Sequence, residues 1–240
     1  MYSGLSDVRI APQLSNQIGT HMTQNTITLT TSPLLFYSPG ACSLAAHIAL
    51  EDMGRPFSLQ KVLTDKGETR TEEFKRLNPK GRVPVLIRAS STLTELPAIL
   101  LHLGTEEPEL APKGSEELVR TVEWMNWLSG TVHACAVRQI WRTDYFADDL
   151  AAHESIRQKG RDHLAVAFNQ VEDRLPLRSW AMPSGYTTLD PFLLVFYRWG
   201  NRLGCPMRET YPKWTWHADQ MAQRHAVIRA LATEDISIWK

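Results

Sequence analysis

The apolar run Leu34-Leu35-Phe36-Tyr37 passes through Ser38-Pro39-Gly40 directly into the stretch from Ala41 to Met53, and this junction constrains the fold more than any other feature of the chain. A short apolar run that stops at a turn signal reads as a buried strand. The residues after the turn, Ala41-Cys42-Ser43-Leu44-Ala45-Ala46-His47-Ile48-Ala49-Leu50-Glu51-Asp52-Met53, are rich in helix formers and are closed by Gly54 as a C-terminal cap. Phe57 to Val62 reads as a second strand, and a short helix fits Glu72 to Leu77 after a charged stretch. Val83-Pro84-Val85-Leu86-Ile87 and Thr92-Leu93-Thr94 flank Ser90-Ser91 as a hairpin. A helix follows from Pro97 to Gly104, with the proline in its first turn. The order strand, helix, strand, helix, strand, strand, helix predicts a compact α/β unit.

The pattern then changes. Thr105 to Lys113, with Pro108 and Pro112, reads as a linker. Beyond it lie helical segments at about Glu116–Thr143, Leu150–Arg174, Asp190–Leu203 and Met221–Thr233, with no strand signal of comparable quality. The expected organisation is a polar leader over residues 1–31, a mixed domain over 32–107 and an all-helical domain over 114–240. The leader lacks the ~7–15-residue apolar core of a secretory signal, and Met22 is an alternative start.

Composition narrows the partners. The 26 basic and 26 acidic residues give a net charge of zero, which removes the usual electrostatic argument for nucleic acid or an anionic membrane surface. No apolar run approaches the ~18 residues of a transmembrane helix. Cys42, Cys135 and Cys205 are odd in number and far apart, which points to a reducing compartment, the cytoplasm, rather than to a disulfide framework. No metal-ligand spacing and no glycine-rich phosphate loop is present, so no metal is expected.

Candidate chemistry gathers at the strand–helix turn. Cys42 sits at the first turn of the first helix, where exposed N–H groups favour an anion and can lower a thiol pKa toward the reactive thiolate. The alternative is a small buried apolar residue. Ser43 either hydrogen-bonds an anion in the same field or caps the helix. Packing is the better account of Tyr37. Thr187-x-x-Asp190 reads as a capping box with aspartate in the usual Glu/Gln place. Trp124, Trp127, Trp141, Trp199, Trp214 and Trp216 suit helix packing, some of them lining an apolar pocket with Tyr197 or Phe146.

Tyr37-Ser38-Pro39-Gly40-Ala41-Cys42-Ser43-Leu44 resembles the start of the bacterial-type (beta-class) glutathione transferases. Asn78-Pro79-Lys80-Gly81-Arg82-Val83-Pro84-Val85-Leu86 is similar to a second landmark of that family and Thr94-Glu95-Leu96-Pro97-Ala98-Ile99 to a third, in the same order and spacing. Gly185-Tyr186-Thr187-Thr188-Leu189-Asp190 and the helix through Arg198-Trp199 extend the likeness, which runs from about Leu34 to Thr233. The resemblance implies a thioredoxin-like N-terminal domain, an α-helical C-terminal domain, a homodimer and a site for reduced glutathione as co-substrate.

Residue by residue, it implies Cys42, Ser43 and His133 as catalytic groups and Lys66, Val83, Pro84, Glu95 and Leu96 as glutathione contacts, Lys66 only across one gap. In the family pattern Val83-Pro84 is cis, leaving the Val83 backbone free to pair with the glutathione cysteinyl unit as an added strand. Glu95 matches the carboxylate that takes the γ-glutamyl ammonium. Trp124 to Cys135 resembles the first long helix of the second domain, which sets His133 toward the thiol and puts Ala134 where a lysine stands. Leu96 offers only its backbone N–H where a hydroxyl is common, and Pro97 removes the next donor. Loss of that lysine implies a less stabilised thiolate.

The implied reaction directs the glutathione sulfur at a small hydrophobic electrophile, with thiol exchange through a mixed disulfide at Cys42 as a variant. Two alternatives stay open. One is a glutathione-dependent double-bond isomerase or tailoring enzyme of a natural-product pathway, in secondary metabolism. The other is a non-catalytic binding protein on the same fold.

Overall fold

The structure is a computed structural model that describes residues 32–89, 91–177 and 179–240. The leader, with Met22 in it, and Ser90 of the hairpin turn lie outside the described residues.

The strand-forming runs assemble as one sheet in the order β2-β1-β3-β4, made of β1 (Leu34–Tyr37), β2 (Ser58–Lys61), β3 (Val85–Arg88) and β4 (Ser91–Thr94). β1 pairs parallel with β2, Leu35 opposite Leu59, and antiparallel with β3, Phe36 opposite Val85. β3 and β4 form the hairpin, Leu86 opposite Leu93. Alternation along β1 divides its side chains between two faces. Leu35 and Tyr37 join the core with α1 (Ser43–Met53) and α3 (Leu96–Glu106), while Phe36 meets Phe74 of α2 (Glu72–Leu77), Val62 and Val85. Every residue of α1 from Ser43 to Leu50 is buried, because α1 also packs against two helices of the second half. Gly54 ends it at φ +64°, as its capping role requires.

The helical half begins with α4 (Gly114–Trp127), which continues without a break through a π-helical segment, Leu128–Val137, into α5 (Arg138–Trp141). α6 (His153–Arg174) packs along that π segment, and α7 (Leu189–Arg202) forms the centre, buried from Leu189 to Gly200. The expected capping box holds: Asp190 Oδ2 accepts the Thr187 N–H at 2.7 Å, and Thr187 Oγ1 accepts the Leu189 N–H at 3.3 Å. The other Asp190 oxygen meets buried His217 at 2.9 Å.

The end of the chain differs from expectation. In place of one helix over Met221–Thr233, α8 (Met207–Thr210) and α9 (Pro212–Ala222) come first, the chain turns at Gln223–Arg224, and α10 (His225–Glu234) follows. Pro212 opens α9 in its first turn, and Trp214 and Met221 lock its inner face into the core. No helix among the described residues is long and apolar enough to cross a membrane.

Candidate active site

The turn after β1 is held from the other half of the molecule. Gly40 adopts φ +67°, a conformation glycine takes without steric penalty. Its N–H donates to Glu234 Oε2 at 2.7 Å, and its carbonyl accepts from Trp199 Nε1 at 2.9 Å and Arg198 Nη1 at 3.3 Å. Glu234 is itself fixed by His47 Nδ1 at 2.8 Å. A Cβ on residue 40 would stand 2.6 Å from Arg198 Nη1, so any side chain there must displace the guanidinium that helps hold the turn.

Cys42, two residues on, lies 8 % exposed at the head of α1, its thiol donating to the Val83 carbonyl at 3.7 Å. Burial pushes this thiol up to about 12, outweighing the N–H groups of the helix start and Arg138. The expected thiolate at the helix N-terminus is therefore corrected: at neutral pH Cys42 is a protonated donor. Ser43 is corrected too. Its hydroxyl is fully buried, accepts the Ser38 N–H at 3.2 Å and bonds back to the Ser38 carbonyl at 3.3 Å, a brace within the turn and not part of the cleft lining.

A cleft of about 550 Å³ opens over this turn, between the sheet end and the helices. Val83 lines one side, joined to Pro84 by a cis peptide bond as the motif implied. Val83 precedes β3; among the described residues its N–H has no partner and its carbonyl takes only the Cys42 thiol. His133 comes from the π segment on the opposite side, its ring 4.9 Å from that of Trp199. Burial, reinforced by Arg138 and Arg82, lowers its pKa to about 4, so the imidazole is neutral at pH 7. The i→i+5 winding of a π-helix brings residues five apart onto one face, which sets Arg138 beside His133. Val137, Trp141 and Arg142 extend the same wall.

The remaining expected contacts separate into two groups. Lys66 is exposed and outside the lining, its place at the cleft taken by Leu63, Thr64 and Asp65 before it and by Thr69 and Arg70 after it. Glu95, at φ +70° before α3, is exposed and also outside the lining, its carboxylate on Lys80 Nζ at 2.5 Å, although its charge bears on Cys42. Leu96 is 5 % exposed and packs inward. Of the aromatics, Trp141, Trp199 and Tyr145 line the cleft. Tyr197 is fully buried with its hydroxyl on Thr215 and Phe146 lies outside, so neither does. Trp124 and Trp127 instead stack with Arg174, whose guanidinium stands 4.1 Å from the Trp124 ring.

Sequence reasoning missed the arginines. Arg70, Arg82, Arg138, Arg142 and Arg202 all face the cleft. They are spread from position 70 to 202, and only the packing of the two halves collects them. Arg138 and Arg82 also amend the expectation drawn from Ala134: the cleft does have cations beside the thiol turn, supplied from one turn further along the helix and from the residue before Val83.

The family description "Glutathione S-transferase, N-terminal domain" matches residues 40–106. Glutathione S-transferase GstA of Escherichia coli O157:H7 is 31 % identical over 207 residues, covering 84 % of this chain and 98 % of that protein. A glutathione transferase homologue from sulfitobacter, solved with bound glutathione, superposes with a TM-score of 0.79 at 26 % identity, covering 85 % of this chain and 98 % of its own. A beta class enzyme from Sphingomonas chungbukensis gives 0.74 at 30 % identity, over 85 % of this chain and all of that one. A thioredoxin-like sheet domain with its thiol turn pinned by a helical domain, together with this near full-length identity, shows that the chain belongs to the glutathione S-transferase family.

Proposed function

We propose that the cleft holds reduced glutathione stretched along the backbone at Val83, with its sulfur turned toward Cys42, His133 and Arg138. The observation that carries this reading is the unpaired Val83 edge on a cleft whose opposite wall presents cations. An extended peptide adds to such an edge through main-chain hydrogen bonds, its cysteinyl C=O taking the Val83 N–H. Glu95, held by Lys80 and near enough for its charge to bear on Cys42, receives the γ-glutamyl ammonium, and the N–H of Leu96 is left for its carboxylate. Pro84 shapes the edge. Lys66 and Ser43 have no direct contact in this arrangement.

The chemistry is that of a glutathione transferase. Arg138 and Arg82 place positive charge next to the sulfur, which favours its ionised form and lowers the thiol pKa. The neutral His133 ring offers a hydrogen-bond donor to that sulfur, and the protonated Cys42 thiol turns its one hydrogen to it once the cysteinyl N–H of glutathione takes over the Val83 carbonyl. The thiolate lone pair attacks the electrophilic carbon, a C–S bond forms, and the leaving group departs with its bonding electrons. Val137, Trp141, Tyr145 and Trp199 give the electrophile an apolar seat. One glutathione consumed per turnover separates conjugation from reversible addition.

The same reading includes a homodimer and a cytoplasmic setting. Leu118 and Val119 on α4, 44 % and 61 % exposed, offer apolar surface that a dimer would cover, and the three unpaired thiols suit a reducing compartment. The thiolate test is ultraviolet difference absorbance of bound glutathione against pH. The wild type should show a bound thiol pKa well below that of free glutathione, and Arg138→Gln should move it up by roughly one unit. An unshifted thiol in the wild type would contradict the reading.

A further inference from the structure

The whole chain is neutral, yet the cleft is not: five arginines face it against one acid, Asp65. Arg70 has Asp144 at 3.8 Å, but among the described residues Arg82, Arg138, Arg142 and Arg202 have no carboxylate within 4.0 Å. Arg82 and Arg138 repel one another, and both bear on His133. Like charges gathered without partners raise the free energy of an empty site and await an anion.

Glutathione accounts for part of this charge. As the thiolate it carries two carboxylates and the sulfur against one ammonium, so two guanidiniums beside the sulfur balance it. Arg142 and Arg202 are left over. They belong to the helical wall, at the ends of α5 and α7. The Arg202 guanidinium lies 5.6 Å from the Trp141 ring centre, and Trp141 meets Trp199 edge to face, their ring centres 5.4 Å apart. An aromatic corner of Trp141 and Trp199, with Arg202 beside Trp141 and Arg142 on the same cleft wall, neither guanidinium paired with a carboxylate, suits an apolar ring bearing an anionic group.

We propose that Arg142 and Arg202 bind an anionic group on the electrophile, so that the second substrate is an apolar, ring-sized acid rather than a neutral hydrophobe. This rests on the glutathione reading above, which places the first substrate along Val83. The two arginines fix the acid by charge-assisted, bidentate hydrogen bonds while Trp141 and Trp199 hold its ring, and the reacting carbon then faces the sulfur. The bond changes are those of conjugation. Helix C-termini also favour cations, and that service alone would affect stability but not substrate choice.

The test compares a chlorodinitrobenzoate with its methyl ester, the same reacting ring with and without a charge, each kcat/KM divided by the uncatalysed rate. The wild type should favour the carboxylate by on the order of 10-fold, the effect of one charged hydrogen-bonded contact. Arg142→Gln with Arg202→Gln should bring the ratio near unity while glutathione Kd stays within about 2-fold, and the paired Lys variants should keep part of the preference. A wild-type ratio at or below unity, or a ratio untouched by the double substitution, overturns the proposal. If the chain neither binds glutathione nor turns over either compound, the glutathione reading fails separately. Quenching of tryptophan fluorescence by the unreactive dinitrobenzoate then decides: saturable quenching that needs both arginines supports an acid site, and its absence overturns it.

Discussion

Replacing Glu234 by alanine removes the acceptors of the Gly40 N–H and of His47, one tie of the Cys42 turn and one of α1 to the helical half, and leaves those from Trp199 and Arg198. The Glu234 carboxylate is fully buried, with Oε2 on the Gly40 N–H at 2.7 Å and Oε1 on His47 Nδ1 at 2.8 Å. Alanine leaves two polar groups unpaired in a dry interior, at ~1–3 kcal/mol each, and a cavity besides. The total is about 3–5 kcal/mol, the range for breaking a buried pair. Glutamine behaves differently. Its carbonyl accepts from Gly40 while its amide donates to His47 Nδ1, provided the imidazole proton moves to Nε2, which lies 3.9 Å from Glu51 Oε1. Charged bonds become neutral ones, at ~1–2 kcal/mol. For a chain of this size Tm moves ~2–4 °C per kcal/mol, so the alanine variant should melt roughly 6–20 °C lower and the glutamine variant roughly 2–8 °C lower. Thermal unfolding followed by circular dichroism reads both. Equal losses for the two variants, or an alanine variant that melts with the wild type, would refute the reasoning.

Gly40→Ala should lower Tm through the 2.6 Å clash with Arg198 and the positive φ, at ~1–3 kcal/mol, and should weaken turnover with it; a silent substitution would mean the turn is not held as described. Iodoacetamide at neutral pH should label exposed Cys135 well before Cys42, whose thiol is pushed up to about 12, and mass mapping that finds Cys42 first would contradict its protonated state. His133 titrates at about 4 folded against about 6.5 unfolded, so between those values the unfolded chain binds the extra proton. Its contribution is present above pH ~6.5 and is lost as pH falls toward ~4, and His133→Asn should flatten the denaturation midpoint across that window. An unchanged slope would argue that the imidazole is not neutral.

Local chemistry was legible and long-range geometry was not. β1, its Ser-Pro-Gly turn, α1 with Gly54 and the Thr187–Asp190 box follow from adjacent residues, and each stands within a residue or two of its expected bounds. The last helices depart from expectation because the turn at Gln223–Arg224 contains neither glycine nor proline, and the one local signal of a break, Pro212, lies at the start of α9, before the expected helix. No local signature marks the π segment, yet its winding aligns His133 with Arg138. Helix position suggested an acidic Cys42 thiol; the packing of Val83 and the helical half over it reversed the sign. Ser43 was read by its neighbours in sequence, whereas Ser38 across the turn claims its hydroxyl.

A crystal structure with reduced glutathione bound addresses the account at its centre. It should show the tripeptide extended, its cysteinyl main chain paired with Val83 and its sulfur within hydrogen-bonding reach of the Cys42 thiol or the Arg138 guanidinium. Glutathione lodged elsewhere, or with its sulfur turned away from both groups, would contradict it.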